Sequence, residues 1–438
     1  MPWISEVSEH IGWQRLRELI EQTVAEARKR LYAKPKRVLL LPPDITRAHS
    51  GAGRMTEWLY QMLSAEAEVH LIPTLGQHVP HSSEENRRMF GTVPESRIHA
   101  HDWRRGCVKL GEVPAQFVKQ ATNGAADWDI PIVLNPMLIQ QKWDWIINIG
   151  HVVPHEVLGF ANHNKNYFIG LAGKETICAS HMAAACCGIE NNLGNLITPV
   201  RACFNKAEED FLGNLPDCYI QLVMARNQQG ELVHTGFFAG DDLETYLQAA
   251  RLSRQQNITV LDEPLRKVVC VMQGDEFFST WVANKAIYRT RMAIADGGEL
   301  VVIAPGLKRF GEQPEVDQLI RRYGYCGTPR VMDAYRRDPM LQDFAHAAAH
   351  LIHGSSEGRF VISYAQPNLS PLPKEDRTAI GKSLAKKPEG RFPSCMELVK
   401  TLRSAGTVQV AMPAAPTPPS ARGTQPMPAL EKPADSGA

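Results

Sequence analysis

The segment from His151 to His181 reads HVVPHEVLGFANHNKNYFIGLAGKETICASH, and it decides how the rest of the chain is interpreted. It contains four histidines and two lysines, and it directly follows the apolar run 146–149, which is typical of a buried strand. Open α/β sheets bind ligands in the crevice at the carboxyl ends of their strands. Neutral imidazole is both a transition-metal ligand and a base. A histidine-rich surface loop is the alternative, since the spacing matches no HExxH or Cys/His zinc motif.

Two upstream units repeat this order of strand, polar loop and helix. The apolar run Arg37–Leu41 predicts a buried strand, and Asp44-Ile45-Thr46-Arg47 follows its carboxyl end. The run Val69–Pro73 predicts a second strand, and the loop after it ends at His78. A capping-box signature at Ser82 predicts that a helix starts there. Both polar loops are therefore expected at the same crevice as the histidine-rich segment. His49, His81, His99 and His101 match no motif and are expected to be solvated.

The composition limits the class of protein and of partner. The chain has 438 residues, 44% of them hydrophobic, which is enough for two or more domains with cores of their own. Lysine plus arginine (48) nearly balances aspartate plus glutamate (47), so a nucleic-acid or anionic-membrane partner is not expected. The nine cysteines form no CxxC pair, and no apolar run reaches the roughly 18 to 20 residues that span a bilayer. A cytoplasmic protein with a small-molecule partner is expected.

The second half of the chain repeats the alternation of strands and helices. Apolar runs predict strands at Lys267–Met272, Glu299–Ala304 and Arg359–Tyr364, and a helix from about Phe277 to Met292. Together with the first half, this predicts an α/β fold of two α/β domains with largely parallel sheets and an active site in the cleft between them. The predicted divisions are an N-terminal domain at 1–262, a C-terminal domain at 263–412 and a disordered tail rich in proline and alanine at 413–438. A late helix is predicted at Cys395–Ser404, near the end of the C-terminal domain.

The order of these motifs resembles the nickel-dependent lactate racemase family over most of the chain. The resemblance rests on Asp44-Ile45-Thr46-Arg47, Gly76-Gln77-His78, His155, Lys165 and His181. It implies that Lys165 is covalently joined to a nickel-pincer nucleotide, which is nickel pyridinium-3,5-bisthiocarboxylic acid mononucleotide. It further implies that His181 is the metal ligand and that His78 and His155 are the catalytic acid/base pair.

The resemblance also assigns the residues that hold cofactor and substrate. Asp44, Thr46 and the aromatic Trp281 are implied to contact the cofactor, whereas Arg47 and Lys285 are implied to bind the substrate carboxylate. The implied reaction inverts C2 of a 2-hydroxy acid by reversible hydride transfer through a 2-keto acid, which makes the protein an isomerase. The two histidines are expected to titrate near neutrality. The expected partners are the 2-hydroxy acid and the proteins that synthesise the cofactor and insert nickel.

Two other functions stay open at the level of the sequence. One is a lysine Schiff-base enzyme, and the other is a non-catalytic protein that binds nickel or the cofactor. The chain also departs from the family that it resembles at two places. Val282 occupies a position at which family members commonly have glutamine, and Asn162-His163-Asn164 differs from the family pattern before Lys165. These departures predict a substrate with a larger or more polar substituent than lactate, with Asn162 to Asn164 either contacting it or supporting Lys165.

Overall fold

In the computed structural model, which describes residues 1–31, 33–274, 276–366 and 369, the described strands form a six-stranded sheet, a three-stranded sheet and two two-stranded sheets. The strands are β1 (Ile4–Val7), β2 (Arg37–Leu41), β3 (Glu68–Leu71), β4 (Val108–Val113), β5 (Ile130–Leu134), β6 (Trp145–His151), β7 (Pro154–His155), β8 (Gly159–Phe160), β9 (Asp217–Arg226), β10 (Leu232–Gly240), β11 (Leu265–Val271), β12 (Ile294–Ile303) and β13 (Val361–Ala365).

Helices connect these strands and cover the sheets. They are α1 (Trp13–Arg30), α2 (Ala52–Leu63), α3 (Ser83–Phe90), α4 (Ala115–Ala121), α5 (Pro136–Ile139), α6 (Lys174–Cys187), α7 (Pro199–Leu212), α8 (Leu243–Asn257), α9 (Thr280–Ala283), α10 (Lys285–Thr290), α11 (Pro314–Tyr323), α12 (Thr328–Arg337), α13 (Pro339–Asp343) and α14 (Ala345–His353). None of the described helices is long and apolar enough to cross a membrane.

The first sheet has the strand order β1-β10-β9-β6-β2-β3. Strands β3, β2, β6 and β9 run parallel, while β10 and β1 pair antiparallel at one edge. From β2 the chain first adds β3 on one side and later adds β6 on the other. This reversal is a topological switch point, where the connecting loops diverge and leave a crevice at the carboxyl ends of the strands. The loops after β2 and β6 therefore meet there.

Both faces of the first sheet are covered, which explains the continuous apolar sequence of β2. Val38 and Leu40 pack with α1 and α2, whereas Leu39 and Leu41 point to the opposite core, which α6 and α7 help to form. Successive side chains of a strand alternate between faces, so a strand that is buried on both sides must be apolar at every position.

The second sheet, β11-β12-β13, is entirely parallel. Its inner face packs against a core to which the helices α9 to α14 contribute. Helix α6 belongs to both cores: Ile177 and Ala184 contact the first, and Met182 and Ala185 contact the second. A helix that is apolar on opposite sides is one that is buried between two layers.

The predicted mixed α/β architecture with mainly parallel sheets is confirmed, with local corrections. The helix predicted from Phe277 to Met292 is broken into α9 and α10 at Asn284, whose side chain instead accepts a hydrogen bond from the Tyr364 hydroxyl (2.6 Å). Helix α7, the largest element missing from the sequence prediction, covers the first sheet. The division at 262/263 stays a prediction, and the late helix at Cys395–Ser404 and the tail from 413 lie outside the described residues.

Candidate active site

A cleft of about 1880 Å³ lies between the strand-end loops of the first sheet and the helices of the second half. Its walls include every residue that the sequence assigned to the site: Asp44, Thr46, Arg47, His78, His155, Lys165, His181, Trp281 and Lys285. Residues that are far apart in the chain thus meet in one cavity. The geometry at each position decides what chemistry it can perform.

The loops after β2 and β3 form an aspartate–histidine pair. Asp44 caps the 3-10 helix Ile45–Ser50 by accepting from the backbone N–H of Thr46 (2.9 Å), and its other oxygen contacts Nδ1 of His78. Burial opposes ionisation of Asp44, but His78 and Thr46 together hold the pKa of its carboxyl at about 2. An ionised carboxylate on Nδ1 fixes the tautomer of His78 and leaves the Nε2 lone pair as a base.

His155 lies in the short strand β7, beyond the carboxyl end of β6. Its Nδ1 accepts a hydrogen bond from the backbone N–H of Val157 (3.2 Å), so the neutral ring carries its proton on Nε2. Burial lowers the pKa of His155 to about 3, and the cations Lys165 and Arg47 act in the same direction. The expectation that this histidine titrates near neutrality is therefore wrong for the cleft as it stands. His78 and His155 present opposite tautomers.

Lys165 sits on a strained loop. The preceding residues Asn162 and His163 have φ angles of 68° and 59°, which cost about 1–3 kcal/mol each for residues other than glycine. A single π-helical turn, Asn166–Gly170, follows directly, and such turns are common at functional sites. Burial lowers the pKa of Lys165 to about 8, and Arg47 adds to the effect. A substantial fraction of its amine is therefore neutral and nucleophilic near pH 7 to 8.

Buried polar groups hold this loop in place. The Asn162 amide donates to Oε1 of Gln221 (2.7 Å), and the Asn164 amide donates to Oε2 of Glu208 (2.9 Å). His163 stacks on Tyr219, with ring centroids 4.2 Å apart. The side chains of the Asn162-His163-Asn164 stretch are thus engaged by the protein, which favours the supporting role over direct contact with substrate.

Arg201 of α7 is the main donor to the same loop. It is fully buried, and its guanidinium donates to the carbonyl of Phe160 (2.6 Å) and to Oδ1 of Asn164 (2.5 Å). It also lies over the ring of Tyr246, 4.4 Å from the centroid. No sequence pattern indicated a role for Arg201, because its helix was not predicted.

His181 projects from α6 between the two halves. Its Nδ1–H donates to the carbonyl of Ile177 one turn earlier (2.7 Å), which leaves the Nε2 lone pair for a metal. Burial lowers the pKa of His181 to about 4, so the ring is neutral as ligation requires. The described residues contain no group of three or more His, Cys, Asp or Glu side chains that is arranged to hold a metal ion.

The second half of the chain contributes Trp281 and Lys285. The Trp281 ring lies against His350, with centroids 4.3 Å apart and an interplanar angle of 31°. His350 is held at both nitrogens, by the hydroxyls of Tyr288 (2.8 Å) and Tyr325 (2.9 Å). Burial lowers the pKa of Lys285, whereas the Glu156 carboxylate raises it.

The cleft also contains titratable residues that the sequence reading did not select: Glu156, His151, His346, His350 and His353. The three α14 histidines follow helical spacing, a pattern that in the sequence is typical of ordinary core packing. Only the structure shows that all three also line the cleft. His101, which was expected to be solvated, is buried, and its ring contacts the carbonyl of Ala172 (3.1 Å). His81, also expected to be solvated, accepts from the backbone N–H of Ile45 (2.8 Å) and so anchors the Asp44 loop.

Comparison with known proteins agrees with this geometry. Residues 12–192 match the lactate racemase N-terminal domain family, and this segment carries Asp44, His78, His155, Lys165 and His181. The predicted resemblance to the lactate racemase family is thereby confirmed over this segment. No curated protein matches the chain significantly.

Two of the solved structures that share the fold cover most of this chain. One is a protein from Thermotoga maritima, 25% identical, with a TM-score of 0.72 over 89% of this chain and 96% of that chain. The other is the lactate racemase apoprotein from Thermoanaerobacterium thermosaccharolyticum, 17% identical, with a TM-score of 0.61 over 87% of each chain. The second likeness shows a common fold.

Replacing Arg201 tests the support of the Lys165 loop. Arg201→Met leaves Asn164 Oδ1 without its donor and leaves the Phe160 carbonyl with only the longer hydrogen bond from the Tyr246 hydroxyl (3.5 Å), and each unsatisfied buried acceptor costs about 1–3 kcal/mol. We expect the free energy of unfolding in urea to fall by roughly 2 to 4 kcal/mol. The matched variant Lys206→Met, on the same helix, should change it by less than about 0.5 kcal/mol. Equal stability of the two variants would contradict the role of Arg201.

The lowered pKa of Lys165 predicts early modification by a small acylating reagent. At pH 8 about half of its amine is neutral, against less than about 1% for an ordinary lysine. Peptide mass spectrometry between pH 6 and 10 should therefore show Lys165 acetylated with a midpoint near pH 8. Lys109, whose pKa is raised by its hydrogen bond to Glu112, should react only at higher pH. A common midpoint for both lysines would rule out the depressed pKa.

Proposed function

We propose that this protein is a racemase or epimerase that inverts C2 of a 2-hydroxy acid with a nickel-pincer nucleotide attached to Lys165. The observation that carries the proposal is the convergence, in one cleft, of a nucleophilic lysine, a neutral histidine with a free Nε2 and two histidines of opposite tautomer. The match to the lactate racemase N-terminal domain supports the same reading.

The residues present fit this cofactor. Lys165 has the neutral amine that an acyl linkage requires, and His181 offers one nitrogen ligand to a metal whose other ligands would come from the cofactor. Arg47 and Lys285 supply positive charge for an anionic nucleotide and an anionic substrate. The cleft of about 1880 Å³ exceeds the roughly 300–1,000 Å³ of a typical small-ligand site, so cofactor and substrate both fit.

The protein's own contribution is proton transfer and orientation. When bound, the nucleotide would supply a reversible acceptor for the C2 hydride. His78 would take the substrate hydroxyl proton on Nε2, with the Asp44 carboxylate stabilising the imidazolium that forms. Arg47 and Lys285 would hold the substrate carboxylate and so keep C2 in place while the keto group rotates to present its other face.

His155 would serve the opposite face of the substrate. In the neutral ring its Nε2–H would donate a hydrogen bond to the substrate oxygen. Transfer of that proton would require the ring to be protonated at Nδ1, in place of the hydrogen bond from the Val157 N–H, and the nearby carboxylate of a bound substrate would favour this by raising the pKa of the ring from about 3. Binding of the anionic substrate would thus prepare His155 for proton exchange. Its acid/base role depends on the occupied cleft.

Intact-mass and metal analysis of protein co-expressed with the cofactor-synthesis machinery tests the proposal. We expect a covalent mass increment on the peptide that contains Lys165 and its loss in Lys165→Ala. Loss of a metal ligand weakens nickel binding, whereas loss of a catalytic base stops proton transfer without affecting the metal. His181→Ala should therefore lose nickel, whereas His78→Ala should keep nickel and lose turnover. An increment on Lys174, or nickel retained by His181→Ala, would overturn the assignment.

A Schiff-base enzyme remains the second candidate, because the lowered pKa of Lys165 also suits imine formation with a carbonyl substrate. Borohydride trapping with a 2-keto acid separates the two. A reduced adduct on Lys165 in nickel-free protein that turns over its substrate would favour the Schiff base. Nickel-loaded protein that inverts no hydroxy acid would instead indicate a binding protein.

A further inference from the structure

We propose that Glu156 and His353 form a subsite for hydroxyl groups beyond C2, so that the preferred substrate is a polyhydroxylated 2-hydroxy acid. The inference rests on the proposed function and names its substrate class. Both residues line the cleft, Glu156 from the loop that carries His155 and His353 from the end of α14 on the opposite wall. Neither has a part in the chemistry described above.

Glu156 offers a carboxylate that the protein leaves available. In the described part of the chain it forms no ion pair and accepts no hydrogen bond from another side chain, although its own backbone N–H hydrogen-bonds to the carboxylate. Burial opposes its ionisation, but His155, His353 and Lys285 hold the pKa of the carboxyl at about 2. It is therefore an anionic acceptor that lies within electrostatic reach of Lys285, the proposed clamp for the substrate carboxylate.

His353 offers an unused imidazole nitrogen. The residue is 5% exposed, and its buried Nε2 has no hydrogen-bond partner among the described residues. His350, one turn earlier, has both nitrogens occupied by tyrosine hydroxyls. His346 faces α6 instead, with its Nδ1 4.0 Å from the Cys178 sulfur. His346 has an unpartnered Nε2 as well. Burial lowers the pKa of both histidines, but it is the pKa of His353 that the Glu156 carboxylate raises, which places His353 within electrostatic reach of Glu156.

The chemistry of the pair selects among substituents. An aliphatic chain would bury the Glu156 carboxylate and the His353 nitrogen without hydrogen bonds, and both groups would lose hydration when the chain occupies the cleft. A second carboxylate would be repelled by the Glu156 charge. Hydroxyl groups satisfy both residues, because a hydroxyl donates to a carboxylate and also exchanges a hydrogen bond with neutral imidazole.

Three four-carbon acids test this selection at constant chain length: 2-hydroxybutanoate, malate and 2,3,4-trihydroxybutanoate. The measurement is kcat/KM for inversion at C2 by the nickel-loaded enzyme. Sites built to bind a hydroxyl reject analogues that lack it by up to about 10⁴-fold. We expect the trihydroxy acid to exceed each of the other two by at least about 100-fold.

Two variants assign the selection to the subsite. Glu156→Gln and His353→Leu should each lower the ratio of kcat/KM for trihydroxybutanoate over 2-hydroxybutanoate by about tenfold or more, mainly through KM for the trihydroxy acid. Glu84→Gln, at an exposed position of α3, should leave the ratio unchanged. If His353→Leu does not fold, Glu156→Gln alone carries the test.

The outcomes separate this inference from the function on which it rests. Faster inversion of 2-hydroxybutanoate or malate would overturn the subsite while leaving the proposed function intact. A preference for the trihydroxy acid that survives both variants would also overturn the assignment to Glu156 and His353. No inversion of any of the three acids by nickel-loaded protein would overturn the proposed function and this inference together.

Discussion

Helix α6 is packed on two sides at once, and the position of the candidate site depends on that packing. Ile177 and Ala184 face the core of the first sheet, while Met182 and Ala185 face the core of the second. Small side chains let both layers approach the helix closely. His181 lies on this shared element, and its ring is oriented by the carbonyl of Ile177. A shift of either half would therefore move the proposed metal ligand relative to the other wall of the cleft.

The topology of the first sheet supplies the remaining groups, and desolvation sets their protonation. The switch point between β2 and β6 brings the Asp44 loop next to the His155 loop, and β3 adds His78 from the neighbouring strand end. Burial lowers the pKa values of His155, His181 and Lys165, so the protonated form of each group is disfavoured. Neutral nitrogen is the form that binds metals and attacks carbonyl carbon, which is why one environment suits several roles.

The sequence predicted the parallel strands β2, β3 and β6 well because their apolar runs are bounded by polar loops, and β2 lies at the predicted residues. It predicted residues that meet in the cleft, because the histidines and Lys165 form an ordered set along the chain. It missed what depends on tertiary contact. The burial of His101 and the inward direction of the Asn162-His163-Asn164 side chains follow from partners distant in the chain. Likewise, the spacing of the α14 histidines is that of core residues, and only the structure shows that they line the same cleft as Glu156.

The fate of the C2 hydrogen tests the central claim most directly. A 2-hydroxy acid carrying deuterium at C2 should be incubated in ordinary water with the nickel-loaded protein, and the inverted product analysed by NMR and mass spectrometry. Reversible hydride transfer predicts that the inverted product keeps its deuterium at C2. Inversion accompanied by loss of the label to water would show that C2 is deprotonated, and it would contradict the proposed chemistry.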